Sequence, residues 1–346
     1  MQKVLDRKRR DSNMELYRIV CMLTVVFFHI FGVVDISNAK LPSGQCSIGV
    51  LPTQLLTSAT FVCIDVFVLL SGWYGIKPRA EKVISFVFQV LFYSVISYVL
   101  FLIFCADVTF SPSFLIHIFL LDDYWFVPVY LLLYLVAPVF NPFISNSSHQ
   151  QFKRVLIILI LFQSIYGWID TREAGWLEGR SPVSFFLLYL LGGYVRRFPV
   201  RLKQQSVKLL MMLYAVAVSI NALLAFAAKS SGNQSMTDQV YNFGSPIIIF
   251  ASLCLLLIFS KLNLGYNRTI NFVARSSFAV FLIHCFPLFI QKLFWPFFEH
   301  LYATTSATLF LTLSTIIGIS FFMTAVAIDQ SRILIYNLLR RCLSHE

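Results

Sequence analysis

Four ionisable side chains stand inside long apolar runs of this sequence: Arg18, His29, Asp65 and His284. At membrane depth such groups are costly, so they pair with one another, line a cavity or carry chemistry. Arg18 and His29 are eleven residues apart. At about 100° per residue that spacing returns to the same helical face, with the side chains about 16 Å apart along the axis. An arginine below and a histidine above would form the wall of a polar tunnel. Imidazole titrates near neutral pH, so His29 is a candidate general base. The alternative is that Arg18 snorkels to the headgroups and His29 closes an interhelical hydrogen bond.

Asp65, in FVCIDVFVLLSG, must be protonated, paired or hydrogen-bonded at its depth. Paired with His29 it would orient the imidazole and raise its basicity; a structural acceptor at a helix junction is the other reading. His284 ends FLIH, and Pro287 after it favours a kink that would set the histidine at a cavity. Arg79-x-x-Lys82, with Lys77, makes a compact basic turn that suits either phosphate groups or a stop-transfer signal. Tyr124-Trp125-Phe126 and Tyr130 suit either an interfacial aromatic belt or a wall that stacks on a sugar ring. Asp329-x-x-Arg332 can pair on one helical face. His117, His149, His300 and His345 fall in or beside loops.

The elements that must position these residues follow from composition. Of 346 residues, 58% are hydrophobic and only 12% charged, so the chain lacks the polar surface of a soluble protein of its size. A soluble enzyme, a disordered chain and a nucleic-acid binder are poor fits. Apolar runs at 17–34, 55–75, 83–105, 125–144, 154–169, 183–198, 208–228, 245–260, 276–295 and 304–326 predict about ten transmembrane helices. The run 112–121 is too short to cross alone. The fold class is therefore all-α and polytopic. With the N-terminus inside, 22 of the 27 basic residues fall on inner segments, leaving Lys40, Arg172, Arg180, Lys229 and Lys292 outside. That bias places both termini in the cytoplasm. It also accounts for the net charge of +11 through anionic lipid headgroups, with room for a phosphate-rich ligand.

The organisation expected is a basic cytoplasmic segment over 1–16, one membrane-embedded domain over 17–331 and a cytoplasmic tail over 332–346. The first apolar run reads as a retained span rather than a cleaved signal. The seven cysteines are scattered, with no C-x-x-C pair, so neither a metal site nor a disulfide framework is expected. Nucleotide-binding loops and the zinc-hydrolase and serine-hydrolase motifs are absent.

In its ordered landmarks the sequence resembles the acyltransferase 3 family of bacterial integral membrane acyltransferases. Arg18-x10-His29 is similar to that family's first-span pattern, and Asp65-Val-Phe-Val-Leu-Leu-Ser71-Gly72-Trp73 to its second-span pattern. Trp125-Phe126, Asn271 to Ser276, Phe281-Leu-Ile-His284 and Asp329-x-x-Arg332 resemble later landmarks, so the likeness covers nearly the whole chain. The family's R-x-x-R turn reads Arg79-Ala-Glu-Lys82 here, and lysine does not reproduce the bidentate fork of arginine.

The resemblance implies transfer of an acyl group, usually acetyl, from cytoplasmic acyl-CoA to a hydroxyl of an envelope polysaccharide or lipid-linked glycan precursor. In that scheme His29 and Asp65 are the catalytic candidates, and Arg18, Arg79 and Lys82 receive the donor. Trp125, Tyr130 and His284 face the acceptor. Acyl-CoA is a donor substrate rather than a tightly bound cofactor, and the setting is the bacterial inner membrane. Nucleic acid is not an expected partner, and the oligomeric state is open. The competing readings are a transporter or flippase of a glycan or lipid intermediate, which would move its substrate unmodified, and a nonenzymatic assembly or sensory component, which would tolerate loss of His29.

Overall fold

The computed structural model of the chain describes residues 11–39, 51–169 and 177–343. The expectations placed on the cations Lys3 to Arg10, on Lys40, Cys46 and Arg172, and on His345 lie outside the described residues. Every regular element described is helical. The first half holds α1 (Ser12–Ala39), α2 (Leu51–Thr60), α3 (Cys63–Tyr74), α4 (Ala80–Phe104), α5 (Pro112–Leu120), α6 (Phe126–Asn146), α7 (His149–Ser164) and α8 (Pro182–Arg197). Then follow α9 (Arg201–Gln204), α10 (Val207–Ser230), α11 (Gln234–Val240), α12 (Pro246–Ser260), α13 (Arg268–Arg275) and α14 (Ser277–His284). The chain closes with α15 (Pro287–Phe289), a π-helical turn over Ile290–Phe294, α16 (Trp295–Thr304) and α17 (Ala307–Leu343).

Among the described residues, seven helical stretches are long and apolar enough to cross a membrane, or eight if the bent pair Arg268–His284 and Pro287–Thr304 forms one span. The protein is thus polytopic and all-α. Two of the ten expected crossings, 183–198 and 245–260, are the 16-residue α8 and the 15-residue α12. At about 1.5 Å per residue they reach roughly 22–24 Å, less than the ~30 Å of hydrocarbon. The run 112–121 forms the nine-residue α5, too short to cross, as expected.

Where a helix sits follows from which of its faces are apolar. A helix apolar all round has no face for water and is buried among others. Such a helix is α3, whose residues from Cys63 to Trp73 are nearly all buried, Asp65 included. It packs on α8, α1 and α12. The crossing of α3 with α8 brings backbone onto backbone. A methyl group at Gly72 would collide with the carbonyl of Tyr189, and one at Gly192 with the carbonyl of Leu69. Small residues at a membrane-helix crossing allow this approach, since packing rather than water exclusion drives association there. A second apolar cluster joins α4, α5 and the start of α6 to Ala279, Leu282 and Phe286 around α14.

Buried polar groups tie the helices where lipid offers no hydrogen bonds. On α17, Arg332 donates to Asp329 from Nε at 2.6 Å, and the Tyr93 hydroxyl of α4 donates to the same carboxylate at 2.8 Å. The i, i+3 pairing expected of these two residues is therefore present. The described cysteines are free, and Cys21, Cys63 and Cys254 are buried.

Candidate active site

α1 carries His29 on its cavity-facing side, one turn after Val25. The His29 ring nitrogen Nδ1 lies 3.0 Å from the Val25 carbonyl oxygen and 3.2 Å from His284 Nε2. A carbonyl only accepts, so Nδ1 of neutral His29 carries the proton and Nε2 holds the lone pair. On α14 the same logic applies: His284 Nδ1 lies 2.6 Å from the Val280 carbonyl oxygen, which leaves its Nε2 as the acceptor facing His29. Two backbone carbonyls, each one turn earlier in its own helix, thereby set both tautomers.

The break after His284 completes the arrangement. Cys285 caps α14 with ψ near 2°, Phe286 is extended and Pro287 opens the next helix. Proline disfavours a helical residue before it, so the chain must turn here, and the two halves meet at 64°. The turn swings the Cys285 thiol back to 3.2 Å from His284 Nε2. In an unbroken helix, consecutive side chains would point about 100° apart.

His29 and Cys285 border a cavity of about 420 Å³. Met22, Val25, Phe28, His29 and Gly32 of α1 form one wall, and Cys63, Ile64 and Phe67 of α3 another. Phe278, Phe281 and Cys285 close the α14 side, and Asp123, Trp125 and Arg180 stand at the rim. The lining is mostly apolar with few polar groups, as ligand sites commonly are. The Arg180 guanidinium lies over the Trp125 ring at 5.7 Å. Asp123, in the loop before α6, keeps Oδ2 buried without a partner among the described residues. Burial, and then the neighbouring Asp122 charge, push its carboxyl up to about 6.

The residues singled out in sequence divide clearly. His29 and Trp125 line the cavity. His284 is fully buried outside the lining and meets His29 at 3.2 Å. Arg18 shares the α1 stripe with Met22, Val25 and His29, but the lining stops at Met22, one turn short of it. Its guanidinium pairs with Glu15 at 2.9 Å. Asp65 makes no hydrogen bond to His29, and neither of its oxygens has a partner among the described residues. The Tyr130 hydroxyl bonds Ser71 Oγ at 3.0 Å, tying α6 to α3; Tyr130 is outside the lining, and its ring stacks on the lining residue Phe126. Arg79 and Lys82 are exposed at the start of α4.

Sequence reasoning overlooked several participants. Cys285 was counted among scattered cysteines, although its adjacency to His284 was visible. Arg180 reads from the sequence only as an outer cation, and Asp123 gives no local signal of its place at the cavity. Trp73 gave no signal of the cations above it: the Arg196 guanidinium lies 5.1 Å and the Lys203 ammonium 5.5 Å from its ring centre.

An all-α polytopic membrane protein with a cavity walled by α1, α3 and the α14 side, and bordered by His29, belongs as a class with membrane proteins that have room for a ligand between their helices. The family comparison narrows this: the model described as an acyltransferase domain matches residues 11–328, and the chain belongs to this family of membrane acyltransferases. Membership supports acyl-CoA-dependent acyl transfer in general. Neither the curated proteins nor the solved structures compared with the chain yield a match.

Proposed function

We propose that the chain transfers an acyl group, acetyl in the first instance, from cytoplasmic acyl-CoA to a hydroxyl of an envelope polysaccharide or lipid-linked glycan precursor. The observation that carries this reading is His29 at the cavity wall with its proton committed to Nδ1, so that Nε2 is the base. Nε2 takes the proton of the acceptor hydroxyl as its oxygen attacks the thioester carbonyl. The C–S bond then breaks, and the imidazolium returns the proton to the departing CoA sulfur. His284 is a positioning residue, because it accepts from His29 and does not line the cavity. Asp65 enters through the helix it shares with Ile64 and Phe67 rather than through a bond to the base.

In this reading all ten apolar segments traverse the inner membrane of a bacterium and both termini are cytoplasmic, with α8 and α12 shielded by their neighbours from the lipid they are too short to span. Arg18, Arg79 and Lys82 attract the phosphate-bearing end of the donor. The acyl-pantetheine arm, of order 15–20 Å by covalent geometry, is comparable with the ~16 Å along α1 from Arg18 to His29. Trp125 supplies an aromatic face to the sugar acceptor, and Tyr130 supports that wall through Phe126.

Membrane vesicles supplied with acyl-CoA labelled in its acyl group test the proposal. Label should pass to glycan with the parent protein and not with a His29→Ala variant that inserts at normal levels. Full transfer by that variant, or movement of unmodified glycan without label, would overturn it. Mass spectrometry of envelope glycan from cells with and without the protein would then identify the acyl group by its mass.

A further inference from the structure

Three soft donor atoms converge at the break between α14 and α15, and acyl transfer by His29 makes no use of one of them. Cys285 Sγ lies 3.2 Å from His284 Nε2, and His284 Nε2 lies 3.2 Å from His29 Nδ1. Cys285 Sγ lies 3.8 Å from His29 Nδ1 and 4.0 Å from its Nε2. A tetrahedral zinc ion, with Zn–N near 2.0–2.1 Å and Zn–S near 2.3 Å, holds such atoms roughly 3.3–3.6 Å apart. The triangle in the protein therefore brackets the spacing an ion requires, and shifts of a few tenths of an ångström would close it. Two imidazoles and a thiolate select zinc-class ions over magnesium or calcium, which take oxygen ligands. The hydrogen bond from His284 Nδ1 to the Val280 carbonyl also fits, because metal-bound histidines usually donate their other N–H in this way. Cys285 and His29 both border the cavity, which leaves a fourth position open on that side.

We propose that His29, His284 and Cys285 form a binding site for a thiophilic divalent ion of the zinc class, and that occupancy of this site arrests acyl transfer. The second half rests on the function proposed above: binding through Nδ1 displaces the His29 proton from Nδ1 to Nε2, and Nε2 can then no longer accept the proton of an acceptor hydroxyl. Coordination also converts the Cys285 thiol to thiolate with release of its proton, so binding strengthens as pH rises. The scattered cysteine pattern gives no hint of such a site, because its three ligands come from chain positions 29, 284 and 285 and meet only in the fold.

Cobalt(II) titration of the purified full-length protein in detergent tests the site directly, with Zn²⁺ then added as competitor. The parent should bind one equivalent, show a thiolate-to-cobalt charge-transfer band and lose it to Zn²⁺. Cys285→Ser should lose that band, and His284→Ala should bind at least tenfold more weakly. Absence of a stoichiometric band in the parent, or an equal band in Cys285→Ser, would overturn the site. Transfer is then measured with and without Zn²⁺, each protein against its own metal-free rate. The parent should stop and recover with chelator, while Cys285→Ser should resist at least tenfold more Zn²⁺. Full binding with an undiminished rate would overturn the arrest. A protein that shows the cobalt band but transfers no acyl group under any condition would sink the proposed function and leave the metal site standing.

Discussion

His29 and His284 are 255 residues apart in the chain, yet Nδ1 of the first lies 3.2 Å from Nε2 of the second. The contact joins the first long helix to the broken one and makes each ring dependent on the other for orientation. His29→Ala should lower acyl transfer by about 10²- to 10⁴-fold, the usual contribution of a general base. His284→Ala should reduce kcat with little change in KM for acyl-CoA, and His284→Gln should recover part of the loss because its amide oxygen can accept from His29. Steady-state kinetics on vesicles separate these outcomes. A pure KM effect would argue that His284 meets a substrate.

Asp65 lies deep in α3 without a bond to the imidazole. Asp65→Asn should therefore leave the pH dependence of transfer unchanged, even if it alters the amount of folded protein. Rates normalised to inserted protein and measured across pH check this. A displaced pH profile would return the carboxylate to the role of orienter.

Arg79 and Lys82 are exposed at the start of α4, where charge acts on an approaching anion. Reversing both to glutamate should raise the KM for acyl-CoA about tenfold, equivalent to ~1.4 kcal/mol, with kcat largely retained. The effect should shrink as salt is added, because exposed charges are screened. An unchanged donor dependence would place the donor elsewhere, with the cations around Trp73 the next surface to alter.

Gly72 and Gly192 lie where two backbones touch. Alanine at either position forces α3 and α8 apart and should cost about 1–3 kcal/mol, as overpacking commonly does. Gly32 has nothing within 4 Å of the space a methyl group would take, so Gly32→Ala serves as the neutral control. Thermal unfolding in detergent should show lower midpoints for the first two variants and none for the third.

Asp123 makes stability depend on pH at the cavity rim. Its carboxyl is raised from 3.8 to about 6 in the folded protein, so folding favours the neutral form. The stability gained from it is complete below about pH 4 and is lost as pH rises through about 6. Asp123→Asn removes this loss. The midpoint difference between variant and parent should move in favour of the variant from pH 4 to 7, measured by the same unfolding assay. A constant difference would show that the carboxyl is ionised throughout.

Composition and local periodicity alone determined that the chain is an all-α polytopic membrane protein, because the need to bury apolar side chains and pair every backbone group acts on each segment independently. The stripe running from Arg18 through Met22 and Val25 to His29 was legible for the same reason: it depends only on the 3.6-residue repeat within one helix. Pro287 likewise announced the bend through its own ring. Which helix meets which was not written locally. Apolar helices resemble one another along the sequence, and their register is set by close backbone crossings such as Gly72 on Tyr189 and by the position of the break at Cys285. That tertiary choice paired His29 with His284 instead of Asp65, turned Tyr130 to Ser71 and ended the cavity one turn short of Arg18. It also placed the Cys285 thiol beside two imidazoles, a relationship that only the folded packing of distant helices can create.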